Sequence, residues 1–86
     1  MLKILFFGQI REILQTEKLD VDILNLDIPL KNVGDLRCYL RLKGDLWDEY
    51  LAASRSLVAV NQTMSVELTP IQDNDEVALF PPVTGG

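Results

Sequence analysis

The residues with the clearest chemical potential stand at the end of the chain, where Gly85 and Gly86 follow a Pro-Pro-Val-Thr segment. Terminal glycines add no packing to a folded domain, and glycine loses more backbone entropy on ordering than any other residue. A narrow active-site tunnel that must admit a bare main chain, in contrast, requires residues without side chains. The sequence therefore predicts that the terminal carboxylate of Gly86, and no side chain, is the reactive group.

The chemistry available to Gly86 is acyl transfer. A C-terminal carboxylate is anionic at neutral pH and is a poor electrophile in that form. It becomes reactive after activation, most simply as an acyl-adenylate made with ATP. It can then accept a sulfur atom, a thiol or a lysine amine.

The four residues before the glycines shape the approach to such a tunnel. Pro81 and Pro82 favour an extended, polyproline-like conformation that points away from the domain and has little entropy left to lose. Val83 and Thr84 offer side-chain contacts before the constriction. Six extended residues span up to about 20 Å, which is long enough to reach the interior of another protein. We therefore expect a globular domain over residues 1–80 and a flexible, partner-inserting tail over the remaining six.

Side-chain catalysis is largely excluded by the composition. The chain contains no histidine and a single cysteine, so Ser-His-Asp triads, Cys-His pairs and zinc sites built from His or Cys cannot form within it. Cys38 has only the cationic Arg37 and Arg41 close to it in sequence, and we interpret it as an ordinary surface cysteine. We expect the chain itself to bind neither a metal nor a cofactor.

Length and charge limit the remaining function classes. The 86 residues, 48 % of them hydrophobic, suffice for one small domain with one core. The net charge of −5 argues against binding nucleic acid, and it fits either a basic protein partner or solubility alone. The single cysteine, the lack of a targeting segment and apolar runs far below the about 20 residues of a membrane span predict a cytoplasmic protein that does not cross a membrane.

Hydrophobic periodicity predicts a sheet wrapped around one main helix. Alternating patterns, and for 57–60 a short continuous apolar run, indicate strands at residues 1–10, 18–28, 57–60, 64–68 and 76–80. Gly8 permits a turn or a bulge, and a single helical turn is expected over residues 11–14. In the second of these the apolar phase flips at Leu24, which requires a bulge or two short strands. Asn32 is the expected N-cap of a helix that runs to about Lys43, with Gly44 as its stop signal, and a short helix is expected over 46–51. The element order predicts an α+β roll with a mixed sheet.

The last strand suggests where a partner would bind. Val77 and Leu79 should face the helix, which turns Phe80 outward, and in the first strand Leu5 and Phe7 lie on the face opposite the core. If the first and last strands pair, these three outward side chains form an apolar partner interface beside the tail. Alternatively, the second strand and the segment after it fold over this face and hide it.

Several stretches of the chain resemble one known family. They are Leu5-Phe6-Phe7-Gly8-Gln9, Arg11-Glu12, Val60-Asn61-Gln62, Asp75-Glu76-Val77-Ala78 and, most specifically, Phe80-Pro81-Pro82-Val83-Thr84-Gly85-Gly86. Over nearly its whole length the chain resembles the small subunits of molybdopterin synthase, which are ubiquitin-like sulfur carriers. The resemblance implies that the α+β roll is a β-grasp fold.

The resemblance also implies a reaction cycle centred on Gly86. A ubiquitin-activating-type enzyme uses ATP to adenylylate its carboxylate, and a sulfur-donating protein replaces the adenylate with sulfur. The tail then inserts into the large subunit of a two-protein enzyme, where the Gly86 thiocarboxylate donates sulfur to a cyclic pyranopterin phosphate to build a dithiolene. The large subunit would supply the catalytic basic residues and the phosphate pocket, in a heterotetramer whose large subunits lie in the middle.

Two departures from the family pattern and three other functions stay open at this point. Residues 16–31 are longer than the family suggests, which leaves the register of the second strand undetermined, and Asn74 stands where a turn glycine is common. The chain could instead carry sulfur for another pathway of the thiamin type, or end in isopeptide bonds as a ubiquitin-like modifier. It could also be a plain interaction module whose tail has no role.

Overall fold

The computed structural model describes residues 1–82, and residues 83–86 lie outside the described part. The helices and strands follow in the order β1 (Leu2–Phe6), α1 (Gly8–Leu14), β2 (Lys18–Val21), α2 (Val33–Arg41), α3 (Asp45–Tyr50), β3 (Leu57–Val60), β4 (Thr63–Met64) and β5 (Glu76–Phe80). A single 3₁₀ turn, Ile23–Asn25, is found between β2 and α2 within this part of the chain.

The strands of residues 1–82 form one five-stranded mixed sheet in the order β2-β1-β5-β3-β4. The first and last strands, β1 and β5, pair in parallel at the centre, and the other pairings are antiparallel. One face of the sheet packs on α2, and the predicted α+β, ubiquitin-like β-grasp roll is confirmed. The topology places the end of β5, from which the tail departs, in the middle of the sheet.

The core lies between the inward faces of the sheet and of α2. The inward side chains of β1 and β5 repeat every second residue, as a strand requires, and the inward side chains of α2 repeat at three and four residues. Buried members of this core are Leu2, Ile4, Phe6, Val33, Leu36, Leu40, Val77 and Leu79. The short helix α3 joins them through Trp47, whose ring meets the ring of Phe6 edge-on with 5.5 Å between the centroids. Val77 and Leu79 therefore face the helix, as predicted.

The main helix begins as predicted and ends earlier. The Oδ1 atom of Asn32 accepts a hydrogen bond from the backbone N–H of Asp35 at 2.8 Å, which satisfies one of the free donors of the first turn. The helix stops at Arg41 instead of Lys43. Gly44 does not end α2 but lies directly before α3, which spans most of the second helix that the sequence predicts.

The prediction of a strand over residues 1–10 was wrong beyond Phe6. Gly8 has a left-handed backbone, with φ of 59°, and it begins α1 instead of a turn or a bulge within a strand. The helical turn predicted over residues 11–14 is confirmed as the second half of α1. The apolar residues Ile10 and Leu14 are one helical turn apart and are both buried. Their spacing fits a helix as well as it fits the continuation of a strand.

The prediction of a strand over residues 18–28 was also wrong in its second half. The strand ends at Val21, and the phase slip is absorbed by the 3₁₀ turn instead of a bulge. Ile23 and Leu26 pack against the core, while Leu24 between them is 74 % exposed. Because β2 lies beside β1 in the sheet and the following segment packs on the core side, this region does not cover the outer face of the sheet.

The hairpin after β3 has the predicted turn but a shorter second strand. Asn61 and Gln62 both have positive φ, 50° and 69°, as a tight hairpin turn of this kind requires. The second strand covers two residues, Thr63–Met64, instead of 64–68. After Met64 the chain leaves the sheet in a turn, in which the backbone N–H of Val66 donates a hydrogen bond to the hydroxyl of Thr69 at 3.0 Å. Asn74 takes the left-handed conformation, with φ of 71°, that its turn demands.

Candidate functional site

The base of the tail packs against the start of α1 through Pro81. Pro81 is half-buried beside Gly8, where a Cβ atom would lie only 3.1 Å from Cδ and Cγ of the proline ring. The backbone N–H of Phe7 donates to the carbonyl oxygen of Leu79 at 3.0 Å, which continues the β1–β5 pairing to the end of the strand. Pro82 is exposed. These contacts determine the point at which the tail leaves the domain.

The outer face of the sheet presents an apolar surface next to this point. Cross-strand pairs place Leu5 beside Ala78, Ala78 beside Ala59, and Ala59 beside Met64, while Phe80 lies beside Leu57. We call the surface formed by Leu5, Leu57, Ala59, Met64, Ala78 and Phe80 the outer sheet face. Met64 is exposed, Ala59 is buried, and the other four are half-buried. Phe7, which directly follows β1, is 45 % exposed and continues the extended chain beyond Leu5. The structure therefore places the predicted interface residues Phe80, Phe7 and Leu5 near the base of the tail.

The far end of the outer sheet face is charged. Lys3 lies between Asp20 of β2 and Glu76 of β5, at the end of β5 opposite the tail. Opposite charges on neighbouring strands attract one another and stay hydrated. Apolar side chains are thus concentrated at the end of the sheet from which the tail departs.

A groove of about 530 Å³ lies at the base of the tail. We call it the tail groove, and its lining consists of Gln9, Ile10, Tyr50, Ser54, Arg55, Pro81 and Pro82. The guanidinium of Arg55 stacks over the ring of Tyr50, with 4.7 Å between its Cζ atom and the ring centroid. The tail base therefore adjoins both the outer sheet face and a groove of mixed polar and apolar lining that contains the guanidinium of Arg55.

The loop that forms one wall of the tail groove is anchored by a buried arginine. Arg37 is 5 % exposed, and its Nη1 atom donates to the carbonyl oxygen of Leu51 at 2.8 Å and to the hydroxyl of Ser56. Its Nη2 atom lies 2.8 Å from the carboxylate of Glu67. The carbonyl oxygen of Ala52 accepts hydrogen bonds from the backbone N–H of Arg55 and from the hydroxyl of Ser56. The loop between α3 and β3 is thereby fixed at both ends.

Sequence reasoning missed both arginines, for different reasons. Arg37 is four residues after Val33 and follows Leu36 directly, so the period of α2 places it on the core stripe, and this signal was available. The contact between Arg55 and Tyr50 joins a loop to a helix end, and no periodicity relates the two. Its detection required the three-dimensional structure.

Other reactive groups in the described part of the chain give no second site. Cys38 is exposed, as predicted. Among residues 1–82, no group of three or more His, Cys, Asp or Glu side chains is arranged to hold a metal ion. None of the helices in that range combines the length and the apolar character needed to cross a bilayer.

The predicted reactive group itself lies beyond the part of the chain that the structure describes. Gly86, Gly85, Thr84 and Val83 all fall outside residues 1–82. Their roles in activation and tail insertion stay predictions, as do the binding roles of Pro81 and Pro82. The structure gives the positions of Pro81 and Pro82, which precede the four residues outside the described part.

Comparisons with known proteins agree over the full length of the chain. The molybdopterin synthase sulfur carrier subunit of Escherichia coli strain K12 is 43 % identical over 86 residues, which cover all of both chains. The resemblance to this class of small subunits is therefore confirmed by a curated relative.

Two solved structures share the fold. One is the protein–protein complex of subunits 1 and 2 of molybdopterin-converting factor from Helicobacter pylori 26695, with a TM-score of 0.64, 28 % identity, and coverage of 99 % of this chain and 97 % of that chain. The other is the small archaeal modifier protein 1 of Haloferax volcanii, with a TM-score of 0.60, 25 % identity, and coverage of 95 % and 97 %.

A family model gives the same result. The model of the ThiS family matches residues 4–86, which include the sheet, the outer sheet face and the whole tail. A β-grasp sheet with the tail leaving its central strand, a full-length relative and a family match all agree, and the chain belongs to the ThiS family.

Proposed function

We propose that this chain is the sulfur carrier subunit of a molybdopterin synthase and acts in molybdenum cofactor biosynthesis. The observation that carries the proposal is the position of the tail base, which leaves the central strand beside the apolar outer sheet face. A carrier needs a rigid body that binds a partner and an extension that reaches the reaction centre. The full-length similarity to a named sulfur carrier subunit supports the same function.

The proposed chemistry takes place at the carboxylate of Gly86. An activating enzyme transfers AMP from ATP to this carboxylate and releases pyrophosphate. The outer sulfur of a persulfide on a donor protein then attacks the acyl carbon, and AMP leaves. A thiol attacks the donor sulfur of the resulting acyl disulfide, which releases the Gly86 thiocarboxylate and leaves a disulfide on the donor. Transfer of that sulfur to a cyclic pyranopterin phosphate, with water supplying the oxygen, restores the carboxylate. In this scheme the chain binds no cofactor, and ATP belongs to the activating enzyme.

The proposed partner on the outer sheet face is the large subunit of the synthase. The Helicobacter pylori structure is a complex of the two subunits of molybdopterin-converting factor, and its similarity to this chain supports a partner of that kind. Phe7 is 45 % exposed and Phe80 is half-buried, so a partner that covers both removes their remaining apolar surface from water, which stabilises the complex. The large subunit would supply the basic residues and the phosphate pocket, and the cytoplasmic location stays a prediction from the sequence.

Intact-mass spectrometry tests the central step. The purified chain is incubated with the activating enzyme, ATP and a sulfur source, and we expect a mass increase that equals the exchange of one oxygen for one sulfur. Fragmentation should locate the change at Gly86. The reaction without ATP is the matched control and should give no shift. An unchanged mass in the complete reaction would contradict the proposal.

A ubiquitin-like modifier is the second candidate, because one structural relative is a small archaeal modifier protein. Activation would be the same, but a lysine amine instead of sulfur would attack the Gly86 adenylate. This function predicts conjugates of higher mass in cell lysate that disappear when Gly86 is deleted. A carrier of the thiamin type would form the same thiocarboxylate but would not support dithiolene formation with the large subunit.

Replacing Phe80 tests the interface. Phe80→Ala is expected to weaken binding to the large subunit by roughly 10- to 100-fold, as loss of a central aromatic side chain does in many interfaces. The fold should persist, because Phe80 lies on the outer side of the sheet. Isothermal titration calorimetry with the large subunit measures the change.

Leu42→Ala is the matched control for Phe80→Ala. Leu42 is 79 % exposed and follows α2, on the side of the domain opposite the outer sheet face. Its truncation removes a similar apolar surface and should leave affinity unchanged. Equal affinities for the wild type and Phe80→Ala would mean that the large subunit binds a different face.

A further inference from the structure

The tail groove has a composition unlike that of the outer sheet face. Its walls combine a proline at the tail base with an amide from Gln9, a hydroxyl from Ser54 and the guanidinium of Arg55. The tail groove lies at the same end of the domain as the outer sheet face. Pro81 lines the groove, and the preceding residue, Phe80, belongs to the outer sheet face. A protein that encloses the tail at its base must therefore cover both.

Arg55 is oriented in this groove but its donors are largely unused. The Cζ atom of Arg55 lies 4.7 Å from the centroid of the Tyr50 ring, a cation–π contact, and the side chain is 48 % exposed. Its ion pair with Glu49 is 3.6 Å long, with both side chains about half exposed, and within residues 1–82 the guanidinium donates no hydrogen bond.

The two arginines of α2, Arg37 and Arg41, differ from Arg55 in this respect. Arg37 donates hydrogen bonds to three partners, and Arg41 donates to the side chain of Asp48 at 3.0 Å. Those two guanidiniums are occupied inside the domain. Arg55, in contrast, contacts the ring of Tyr50, donates its backbone N–H to Ala52, and has a guanidinium that is about half exposed and paired only with the exposed carboxylate of Glu49.

We propose that the tail groove binds an acidic side chain of the synthase large subunit, which pairs with the guanidinium of Arg55; this inference rests on the proposed function. A planar carboxylate matches the fork of N–H donors in a guanidinium, and such charge-assisted hydrogen bonds are stronger than neutral ones. The chain carries a net charge of −5, so a cation at the base of the tail gives an acidic partner segment one favourable place to bind.

The phosphate of the substrate is a poorer match for this groove than a protein carboxylate. Four residues separate Pro82 from the reactive end of the chain, and in an extended tail they span up to about 14 Å. A substrate that receives sulfur from Gly86 would lie at that distance from the groove. The contact at Arg55 therefore belongs to the rim of the complex, where it orients the carrier as the tail enters.

Charge reversal at Arg55 tests the inference. Arg55→Glu is expected to weaken binding of the large subunit about 10-fold at low salt, and the loss should shrink to about two- to threefold at 0.5 M salt because screening weakens rim charges. Arg55→Gln should give a smaller loss of the same kind. Surface plasmon resonance measures association and dissociation rates at each salt concentration, and circular dichroism verifies that both variants fold.

The matched control changes the same charge at the opposite end of the domain. Lys31 is exposed and precedes α2, beside the segment that leads into β5, so Lys31→Glu alters the net charge equally but far from the tail. It should leave the affinity near the wild-type value. Equal losses for Lys31→Glu and Arg55→Glu would overturn the inference, since net charge alone would explain both. An unchanged affinity of Arg55→Glu would also overturn it.

The same measurements separate this inference from the proposed function. If Phe80→Ala loses affinity and Arg55→Glu does not, the groove assignment is wrong and the sulfur carrier function stands. If the wild type does not bind the large subunit at all, both fail. If Arg55→Glu impairs only adenylylation by the activating enzyme, the acidic residue belongs to that enzyme, and the assignment to the large subunit is wrong.

Discussion

Gly85→Ala is expected to slow formation of the proposed Gly86 thiocarboxylate about 100-fold, because an added Cβ would displace the reacting carboxylate in the narrow passage that we propose for the partner. A shift of about 1 Å is enough for such a loss. The free energy of unfolding should stay unchanged, since the last strand, β5, ends at Phe80. Single-turnover kinetics followed by intact-mass spectrometry measures the rate, and urea denaturation measures stability.

Gly44→Ala is the matched control for this experiment. Gly44 is exposed, its backbone is extended with φ of 165°, and an added Cβ would meet only Trp47 at an ordinary 3.5 Å. The same chemical change within the globular domain should therefore affect neither rate nor stability. A Gly85→Ala variant that forms the thiocarboxylate at the wild-type rate would show that no narrow passage surrounds the penultimate residue.

Arg37→Ala is expected to lower the free energy of unfolding by about 2–4 kcal/mol, the cost of leaving buried hydrogen-bond partners unpaired. The carbonyl oxygen of Leu51, in a residue that is fully buried, loses its donor. The aliphatic part of the arginine also leaves a gap between α2 and the loop before β3. The carboxylate of Glu67 is 45 % exposed and can recover hydration, which keeps the loss below that of a fully buried pair.

Arg41→Ala, one helical turn later, provides the comparison. Its ion pair with Asp48 has a similar length, 3.0 Å, but the side chains are 36 % and 63 % exposed. Exposed pairs contribute little, so we expect a loss of about 0.5 kcal/mol. Chemical denaturation of both variants measures the difference. Equal losses would mean that burial of the Arg37 network adds nothing to stability.

The sequence predicted the elements of the core well because burial imposes a strict period. β3 and β5 have the predicted bounds, since each is a short apolar run flanked by turn residues. The start of α2 followed from Asn32, whose side chain has one favoured role before a helix. The outward direction of Phe80 followed from the same alternation that buries Val77 and Leu79.

The errors arose where short segments satisfy two periods equally. Ile10 and Leu14 fit a strand pattern or one face of α1, and Gly8 decides between them through its positive φ, which no pattern reveals. After Val21 the apolar residues were assigned to a strand, but tertiary packing of Ile23 and Leu26 selects a 3₁₀ turn. The tail groove depends on contacts between separate elements, and local sequence carries no signal for these.

The central position of β5 has a mechanical consequence. A protein that draws the tail toward itself pulls along a strand that is flanked by β1 on one side and β3 on the other. Both ladders are then loaded in shear, so many hydrogen bonds must rupture together, whereas an edge strand under the same load would peel away one bond at a time. Under the proposed function, a partner that pulls on the tail would therefore leave the domain folded.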